Sequence, residues 1–211
     1  MPDPIVWSLA WPYFLAAWVF GYLIGSTPFG LMLTRMAGLG DIRDIGSQSI
    51  GATNVLRTGN KKIAFLTLLF DLLKGTIPVV IAAEWGPDQA ILAGFGAFLG
   101  HLFPFWLKFK GGKGVATYIG VLIGFCWLAE TPWPLAAFAV TWLGTAAIFR
   151  FSSLAAIIAL IITPLVTRWL GLVQESELLG LLSLISIIKH HSNIRRLFSG
   201  TESRIGDKDA A

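Results

Sequence analysis

Cysteine and charge are both scarce in this chain of 211 residues. The single cysteine, Cys126, lies in an apolar run, which excludes a disulfide framework and predicts a small side chain that is buried or faces lipid. Charged residues make up only 13% of the sequence, too few to cover the surface of a soluble domain. No cluster of Asp, Glu, His or Cys has the spacing of metal ligands, so we expect no metal site.

Several catalytic motifs are missing as well. No His-x-x-x-x-Asp motif begins at His101, His190 or His191, so the acyltransferase motif built on a His–Asp pair is absent. The sequence also has no Asp-rich motif of the phosphatidyl transferase kind and no Gly-x-Ser-x-Gly motif. Any chemistry must therefore come from another arrangement of side chains.

Apolar stretches dominate what is present. Apolar residues make up 55% of the chain, and a membrane-spanning helix needs about 20 mostly apolar residues. We predict an all-α integral membrane protein with about seven transmembrane helices, forming a single domain over residues 1–200. The predicted spans are Leu9–Leu33, Ile63–Glu84, Gln89–Leu107, Val115–Leu128, Trp133–Phe149, Leu154–Leu170 and Leu178–Ile188.

The charges of the loops orient these spans. With the N-terminus outside, all of the 16 basic residues except Lys74 and Arg168 fall in inner segments. This positive-inside pattern predicts an outer N-terminus and a cytoplasmic C-terminus. Because nearly all of the basic residues lie in loops, we attribute them to anionic lipid headgroups or an anionic substrate, and we expect no nucleic-acid partner.

One inner segment, Lys108–Thr117, has the composition of a phosphate-binding loop, and we call it the lysine loop. Its glycines let the backbone turn at positive φ, with several N–H groups facing one way. Val115 then begins a helix whose N-terminus attracts anions, and Lys113 supplies a point charge at that junction. The alternative is a basic loop that obeys the membrane topology alone. The residues predicted to contact phosphate are Lys110, Gly111, Gly112, Lys113 and Gly114.

The first inner loop, Asp41–Arg57, is rich in small hydrogen-bonding residues. Arg57 can hold a phosphate through two hydrogen bonds. The alternative is that Ser47 or Ser49 caps a helix that begins near Ile50. The other candidates for bonds to an acyl or phosphoryl oxygen are Ser47, Thr53 and Asn54.

A third cationic segment, His190–Arg196, lies near the C-terminus, and we call it the histidine segment. His190 and Asn193 are three residues apart and lie on one face if the helix continues through them. His190 can be a hydrogen-bond donor or a general base with a pKa near neutrality. The alternative is an ordinary histidine at the membrane surface.

Four further polar residues have predicted structural roles. Asp71 and Lys74 are three residues apart inside a span, where charges point into a bundle, so we expect an internal ion pair. His101, near the inner end of the third span, is predicted to support the lysine loop. Glu202 is a candidate for a salt bridge with nearby arginines. Residues 201–211 form a polar C-terminal tail, and the stretch from Gly200 is expected to fray.

The segments, taken together, resemble those of the bacterial PlsY-type acyl-phosphate:glycerol-3-phosphate acyltransferases. The lysine loop, which reads Lys-Phe-Lys-Gly-Gly-Lys-Gly-Val-Ala-Thr, is the most specific part of the resemblance. The family commonly has Gly-Asn where this chain has Gln48-Ser49. The other resembling segments are Gly25–Gly30, Gly46-Ser47, Ile50–Arg57, Asp71–Gly75, Gly100–Pro104, His190 with Asn193, and Gly200–Glu202.

The resemblance implies a bacterial inner-membrane enzyme with its active site facing the cytoplasm. Such an enzyme moves an acyl group from acyl phosphate to the 1-hydroxyl of glycerol 3-phosphate and makes lysophosphatidate, the first step of phospholipid synthesis. It uses no metal and no cofactor, and an acyl-phosphate-producing phosphate acyltransferase supplies its donor. Membrane lipids surround it.

Residue roles also follow from the resemblance. It implies phosphate binding by Lys113, Ser47, Thr53 and Arg57, and substrate orientation by His190 and Asn193. It adds Ser152 or Ser153 as a further polar contact. Either His190 or the donor's own phosphate takes the hydroxyl proton, and the lack of a carboxylate within the histidine segment favours the phosphate. The alternative function is a transporter or exchanger of organic phosphates.

Overall fold

The computed structural model describes residues 7–46 and 48–206, and these fold into ten α-helices joined by short loops. The chain divides into two compact units, the first ending at Leu128 and the second beginning at Ala129. The helices of the first unit are α1 Trp7–Gly25, α2 Phe29–Met36, α3 Ala52–Leu56, α4 Lys61–Ala83, α5 Pro87–Leu102 and α6 Val115–Leu128. Those of the second unit are α7 Trp133–Phe149, α8 Ser152–Trp169, α9 Val173–Lys189 and α10 His191–Phe198.

Several of these helices are long and apolar enough to cross a membrane. By length and composition, four stretches of the described residues qualify, and α6 and α7 are shorter apolar helices. The four stretches are Leu9–Met36, Lys61–Ala83, Pro87–Leu107 and Ser152–Trp169. The predicted all-α class is confirmed, whereas the count of seven spans and the side of each terminus stay predictions.

The first and last predicted spans differ most from the helices of the structure. The first span is interrupted, because α1 ends at Gly25 and α2 begins at Phe29, directly after Pro28. Proline has no N–H to donate, and it disfavours the helical conformation of the residue before it. The last predicted span was too short, since α9 already begins at Val173. Its first turn includes Glu175, a charge that suits a helix N-terminus.

Small residues set the packing of α1 on α5. A Cβ atom added at Gly21 or Gly25 would clash with the backbone of Ala93 or Ala97, and one added at Gly96 would clash with Trp18. Residue numbers rise together along both helices in these contacts, so α1 and α5 run parallel. Close backbone approach at small residues is a common way for membrane helices to associate, because it increases van der Waals contact.

Helices α4 and α6 pack in the same manner. A Cβ atom at Gly120 would clash with the carbonyl of Leu72, and one at Gly124 would press on Val79. The hydroxyl of Thr76 also donates to the carbonyl oxygen of Gly120 over 2.8 Å. These contacts make α4 and α6 parallel, and they place the start of α6 close to the level of Asp71. The end of the lysine loop therefore lies beside the middle of α4.

The second unit is built around α8, which packs against both α7 and α9. Its buried face carries small residues, including Ala155, Ala156 and Ala159. The hydroxyl of Ser183 in α9 donates to the carbonyl oxygen of Leu160 over 2.6 Å. The short helix α10 contacts α8 and α9 and begins directly after the end of α9.

Candidate active site

A buried apolar cluster brings two of the three cationic segments together in the first unit. Its members come from α2, the first inner loop and α4, and Leu107 packs against them just before the lysine loop. Because Leu107 is followed directly by Lys108, the lysine loop begins next to the first inner loop. The buried members of the cluster are Leu31, Ile42, Ile50, Val55 and Ala64.

The first inner loop is held by Asn54, which is fully buried and donates from Nδ2 to the carbonyl oxygen of Ile42 over 2.6 Å. Gly46 has a φ of +52°, and a Cβ atom there would overlap with the side chains of Arg57 and Asn54. The loop thus folds Arg57 over Gly46, while Thr53 is exposed. Ser47 lies outside the described residues.

The capping role considered for Ser49 is wrong. Helix α3 begins at Ala52 and has Gly51 at its N-cap, without a side-chain cap. The hydroxyl of Ser49 instead accepts a bond from the backbone N–H of Gly51 over 3.4 Å. The sequence does not predict the role of Asp41, which pairs with Arg43. Hydrogen bonds from Arg43 hold the pKa of its carboxyl well below its usual range, so this pair braces the start of the loop.

The lysine loop turns by a different means from the one expected. Positive φ occurs at Lys108, Phe109 and Gly114, but not at Gly111 or Gly112, so that part of the expectation is wrong. Both of those glycines instead donate their N–H groups within the fold, over 3.1 Å, to the carbonyl oxygens of Leu102 and His101 respectively.

Close approach explains why Gly111 and Gly112 carry no side chain. A Cβ atom at Gly111 would clash with the carbonyl oxygen of His101, and one at Gly112 would clash with the His101 ring. As predicted, Val115 begins α6, so the half-buried Lys113 stands just ahead of that helix. The first turn of a helix has N–H groups without intrahelical acceptors, so the region around Lys113 favours an anion.

The predicted ion pair between Asp71 and Lys74 is present in α4, with 2.6 Å between Nζ and Oδ1. Lys74 also donates to the carbonyl oxygen of Thr27 over 2.9 Å, at the break between α1 and α2. His101 Nδ1 lies 3.8 Å from the same carboxylate. All three charged or ionisable side chains are buried.

In the second unit, the Glu202 carboxylate binds two of the candidate residues, Ser153 and Asn193, and an arginine. It accepts hydrogen bonds from Ser153 Oγ over 2.7 Å, Asn193 Nδ2 over 2.6 Å and Arg196 Nε over 2.7 Å. The predicted salt bridge with an arginine is therefore present, between Glu202 and Arg196. Ser152, which precedes Ser153 in the chain, is half-buried. Burial raises the pKa of Glu202, but these hydrogen bonds outweigh it and hold that pKa below its usual value.

The helix does not continue through the histidine segment. Helix α9 ends at Lys189 and His190 stands at the junction with α10, so the condition for one continuous helix face through His190 and Asn193 is not met. His190 and Asn193 are nevertheless both buried. His190 Nδ1 lies 2.8 Å from the carbonyl oxygen of Ser186. Since a carbonyl only accepts, Nδ1 carries the proton and Nε2 is the basic nitrogen of the neutral ring.

The tail also differs from expectation up to Gly206. The N–H of Ile205 donates to the carbonyl oxygen of Arg150 over 2.6 Å, and Arg150 Nη2 donates back to Ile205 over 2.9 Å. The guanidinium of Arg204 lies 5.5 Å from the centre of the Phe151 ring. These contacts hold residues 201–206 against the start of α8, so the predicted fraying is wrong there. Residues 207–211 lie outside the described part.

Comparisons with known proteins agree with the resemblance. The family model described as Glycerol-3-phosphate acyltransferase matches residues 15–200. A glycerol-3-phosphate acyltransferase of Brucella anthropi is 59% identical over 92% of this chain and 94% of its own length. One of Sinorhizobium fredii is 57% identical over 98% of this chain and 99% of its own length.

Two solved structures are also similar. Both are of PlsY, described as an integral membrane glycerol 3-phosphate acyltransferase. Its glycerol 3-phosphate form has a TM-score of 0.84 and 36% identity, over 92% of this chain and 96% of that one. Its lysophosphatidic acid form has a TM-score of 0.80 and 34% identity, over 93% of this chain and 97% of that one. This chain therefore belongs to the glycerol-3-phosphate acyltransferase family.

Proposed function

We propose that the protein transfers a fatty acyl group from acyl phosphate to the 1-hydroxyl of sn-glycerol 3-phosphate. The acceptor oxygen attacks the acyl carbonyl carbon, the bond from that carbon to the phosphate oxygen breaks, and lysophosphatidate and inorganic phosphate leave. The observation that carries this proposal is the position of Lys113, just ahead of the N-terminus of α6. A positive side chain and a helix N-terminus both favour a phosphate, and both proposed substrates contain one.

Phosphate binding is assigned to residues of the first unit. Lys113 acts as a point charge, and Arg57, folded over Gly46, can offer two parallel N–H groups. Ser47, Thr53 and Lys110 are further candidates from the same two loops. Asn54 and the amides of Gly111 and Gly112 support the loops through the bonds described above.

Orientation of the acceptor is assigned to His190, Asn193 and Ser153 in the second unit. Among the described residues, the buried Asn193 Oδ1 has no hydrogen-bond partner, and such an atom suits the hydroxyl of a substrate. Glu202 fixes the opposite end of the Asn193 amide. Holding acceptor and donor in a reactive geometry supplies several kcal/mol of a bimolecular barrier.

The proton of the attacking hydroxyl has two possible acceptors, His190 Nε2 and the phosphate of the donor. His190 Nδ1 faces a backbone carbonyl, which orients the ring, and the histidine segment itself contains no carboxylate. We therefore favour the donor phosphate. A His190→Gln variant that keeps most of the turnover supports this choice, whereas a loss of turnover with an unchanged KM for glycerol 3-phosphate supports a histidine base.

The enzyme activity is tested with purified protein in detergent. Acyl phosphate and glycerol 3-phosphate are added without coenzyme A, and lysophosphatidate is measured. We expect product with acyl phosphate and none with acyl coenzyme A, and a Lys113→Met variant should have a raised KM for glycerol 3-phosphate. No product, together with substrate counterflow in liposomes, would indicate a transporter instead.

The membrane arrangement proposed with this function has seven spans in a bacterial inner membrane, an outer N-terminus and a cytoplasmic active site. Loop charge supports it. The donor comes from a phosphate acyltransferase that makes acyl phosphate. Single cysteines replacing Lys110, Glu130 and Arg204 in a Cys126→Ala background test the sides. An impermeant reagent added to intact spheroplasts should label only the cysteine at position 130.

A further inference from the structure

A buried polar network in the first unit contributes none of the substrate-binding groups proposed above. Asp71 and Lys74 in α4 are each 2% exposed, and His101 in α5 is 3% exposed. Ionisable groups within apolar membrane helices are expensive, and they are usually functional. These residues lie near the start of α6, where the lysine loop ends, so their contacts with that loop indicate what the network supports.

The His101 ring lies directly against the lysine loop. The atoms nearest to a Cβ atom built on Gly112 are Nε2, Cε1 and Cδ2, all of that ring. The carbonyl oxygen of His101 also accepts the N–H of Gly112 over 3.1 Å. Because φ at Gly112 is not positive, the ring rather than the backbone conformation accounts for the missing side chain.

The opposite edge of the ring faces the ion pair. His101 Nδ1 lies 3.8 Å from Asp71 Oδ1, and the same oxygen lies 2.6 Å from Lys74 Nζ. Lys74 in turn donates to the carbonyl oxygen of Thr27 between α1 and α2. A continuous line of contacts therefore runs from the break between α1 and α2 to Gly112, the residue before Lys113.

We propose that His101 is a positioning residue whose ring, backed by the Asp71–Lys74 pair, sets the place of Gly112 and hence of Lys113. This inference rests on the proposed function, because it takes Lys113 to bind the phosphate of glycerol 3-phosphate. A charge displaced by about 1 Å from its substrate can weaken catalysis by up to about a hundredfold. The contact of the His101 ring with Gly112, one residue before Lys113, can prevent such a displacement.

The test uses two glycine variants that differ only in what they meet. In Gly112→Ala the new methyl group meets the His101 ring, whereas in Gly111→Ala it meets the carbonyl oxygen of His101. Each is combined with His101→Ala, which removes the ring and leaves the carbonyl. We expect Gly112→Ala to raise the KM for glycerol 3-phosphate about tenfold and to change kcat much less.

The double variants give the decisive comparison. His101→Ala alone should also raise the KM for glycerol 3-phosphate, because the ring no longer holds Gly112 in place. In the His101→Ala background, Gly112→Ala should add no further increase in KM, because its methyl group has room. Gly111→Ala should stay as defective as in the wild-type background. The proposal would be overturned if His101→Ala abolished the KM increase added by both glycine substitutions or by neither. An unchanged KM in Gly112→Ala alone would also overturn it.

A binding measurement separates this inference from the proposed function. The unfolding temperature of each variant is measured with and without glycerol 3-phosphate, which requires no acyl donor. A wild-type protein that is stabilised by glycerol 3-phosphate but makes no product contradicts only the proposed reaction. Loss of this stabilisation in both Gly112→Ala and His101→Ala supports the positioning role of the ring, and an unchanged stabilisation in either single variant rejects it.

One further variant covers the case in which Gly112→Ala does not fold. His101→Asn keeps an amide nitrogen near the position of Nδ1, facing Asp71, and removes the edge that meets Gly112. We expect it to restore folding to Gly112→Ala, because the new methyl group no longer meets the ring edge. If the Gly112→Ala, His101→Asn double variant stays unfolded while His101→Asn alone folds, the proposed role of the His101 ring is rejected.

Discussion

Lys74 is a positive charge inside an apolar helix, and three neighbouring groups compensate for its burial. It pairs with Asp71, donates to the carbonyl oxygen of Thr27, and lies 5.7 Å from the centre of the Phe29 ring. A buried charge that loses its partner is strongly unfavourable, whereas removal of both charges is much less so. This asymmetry makes the pair testable by substitution.

Asp71→Asn is therefore expected to destabilise the protein by about 3–5 kcal/mol, because Lys74 stays buried without a counter-charge. Adding Lys74→Met should recover most of that loss. Thermal unfolding in detergent measures both. Arg35→Gln is the control, since Arg35 pairs with Asp41 at the surface and such pairs contribute about 0–1 kcal/mol. An Asp71→Asn variant as stable as Arg35→Gln would contradict the expectation.

For single residues, the sequence predicted contacts between close neighbours in the chain but not contacts between distant residues. Asp71 and Lys74 are one helical turn apart, so their pairing could be predicted from the sequence. Thr27 lies 47 positions from Lys74, and nothing in the spacing indicates that its carbonyl accepts the lysine proton. The bond from Asn193 to Glu202 could not be predicted either, because it requires the tail to turn back after α10.

Helix packing in the first unit depends on glycines at which two backbones nearly touch. Gly96 in α5 meets the carbonyl of Trp18, and Gly120 in α6 meets that of Leu72. A side chain at such a position must push the helices apart, which removes dispersion contacts along the whole interface. Other helical glycines have no such role. Nothing in the described part of the chain lies within 4 Å of a Cβ atom built on Gly144 in α7.

The two kinds of glycine should respond oppositely to alanine. Gly96→Ala is expected to destabilise by about 1–3 kcal/mol through overpacking against Trp18. Gly144→Ala should be neutral or should stabilise by up to about 1 kcal/mol, because alanine favours a helix. Unfolding temperatures in one detergent compare the two, and a Gly96→Ala protein as stable as Gly144→Ala would mean that the close contact is not limiting.

For the molecule as a whole, each unit holds its own polar cluster. The first unit contains the two loops assigned to phosphate, together with the Asp71–Lys74 pair. The second contains Glu202 with its three hydrogen-bond donors. Glu202 lies in the tail, which is attached to Arg150 through Ile205. The C-terminal residues thus contribute to the candidate site and are more than a polar appendage.

Truncation tests this role of the tail. Ending the chain after Ser203 keeps Glu202 but removes the contacts of Arg204 and Ile205 with Phe151 and Arg150. We expect the KM for glycerol 3-phosphate to rise about threefold to tenfold, since Glu202 is then held less firmly and positions Asn193 less well. A chain ending after Gly206 keeps all of these contacts and should match the full length. Equal KM values for the two truncations would exclude a positioning role.

Properties set by local composition could be predicted from the sequence alone. Hydropathy predicted the all-α membrane class, and the glycine–lysine pattern predicted the start of α6 at Val115. Both depend on residues close together in the chain, for which helix periodicity and transfer free energy suffice.

Only the tertiary structure decided what several of the polar residues and glycines contact. It assigned Gly112 to the His101 ring, broke the helix at His190, and attached the tail to Arg150. These outcomes depend on which distant backbones come close enough to clash or to hydrogen-bond. No local pattern encodes that proximity, because it results from the packing of whole helices.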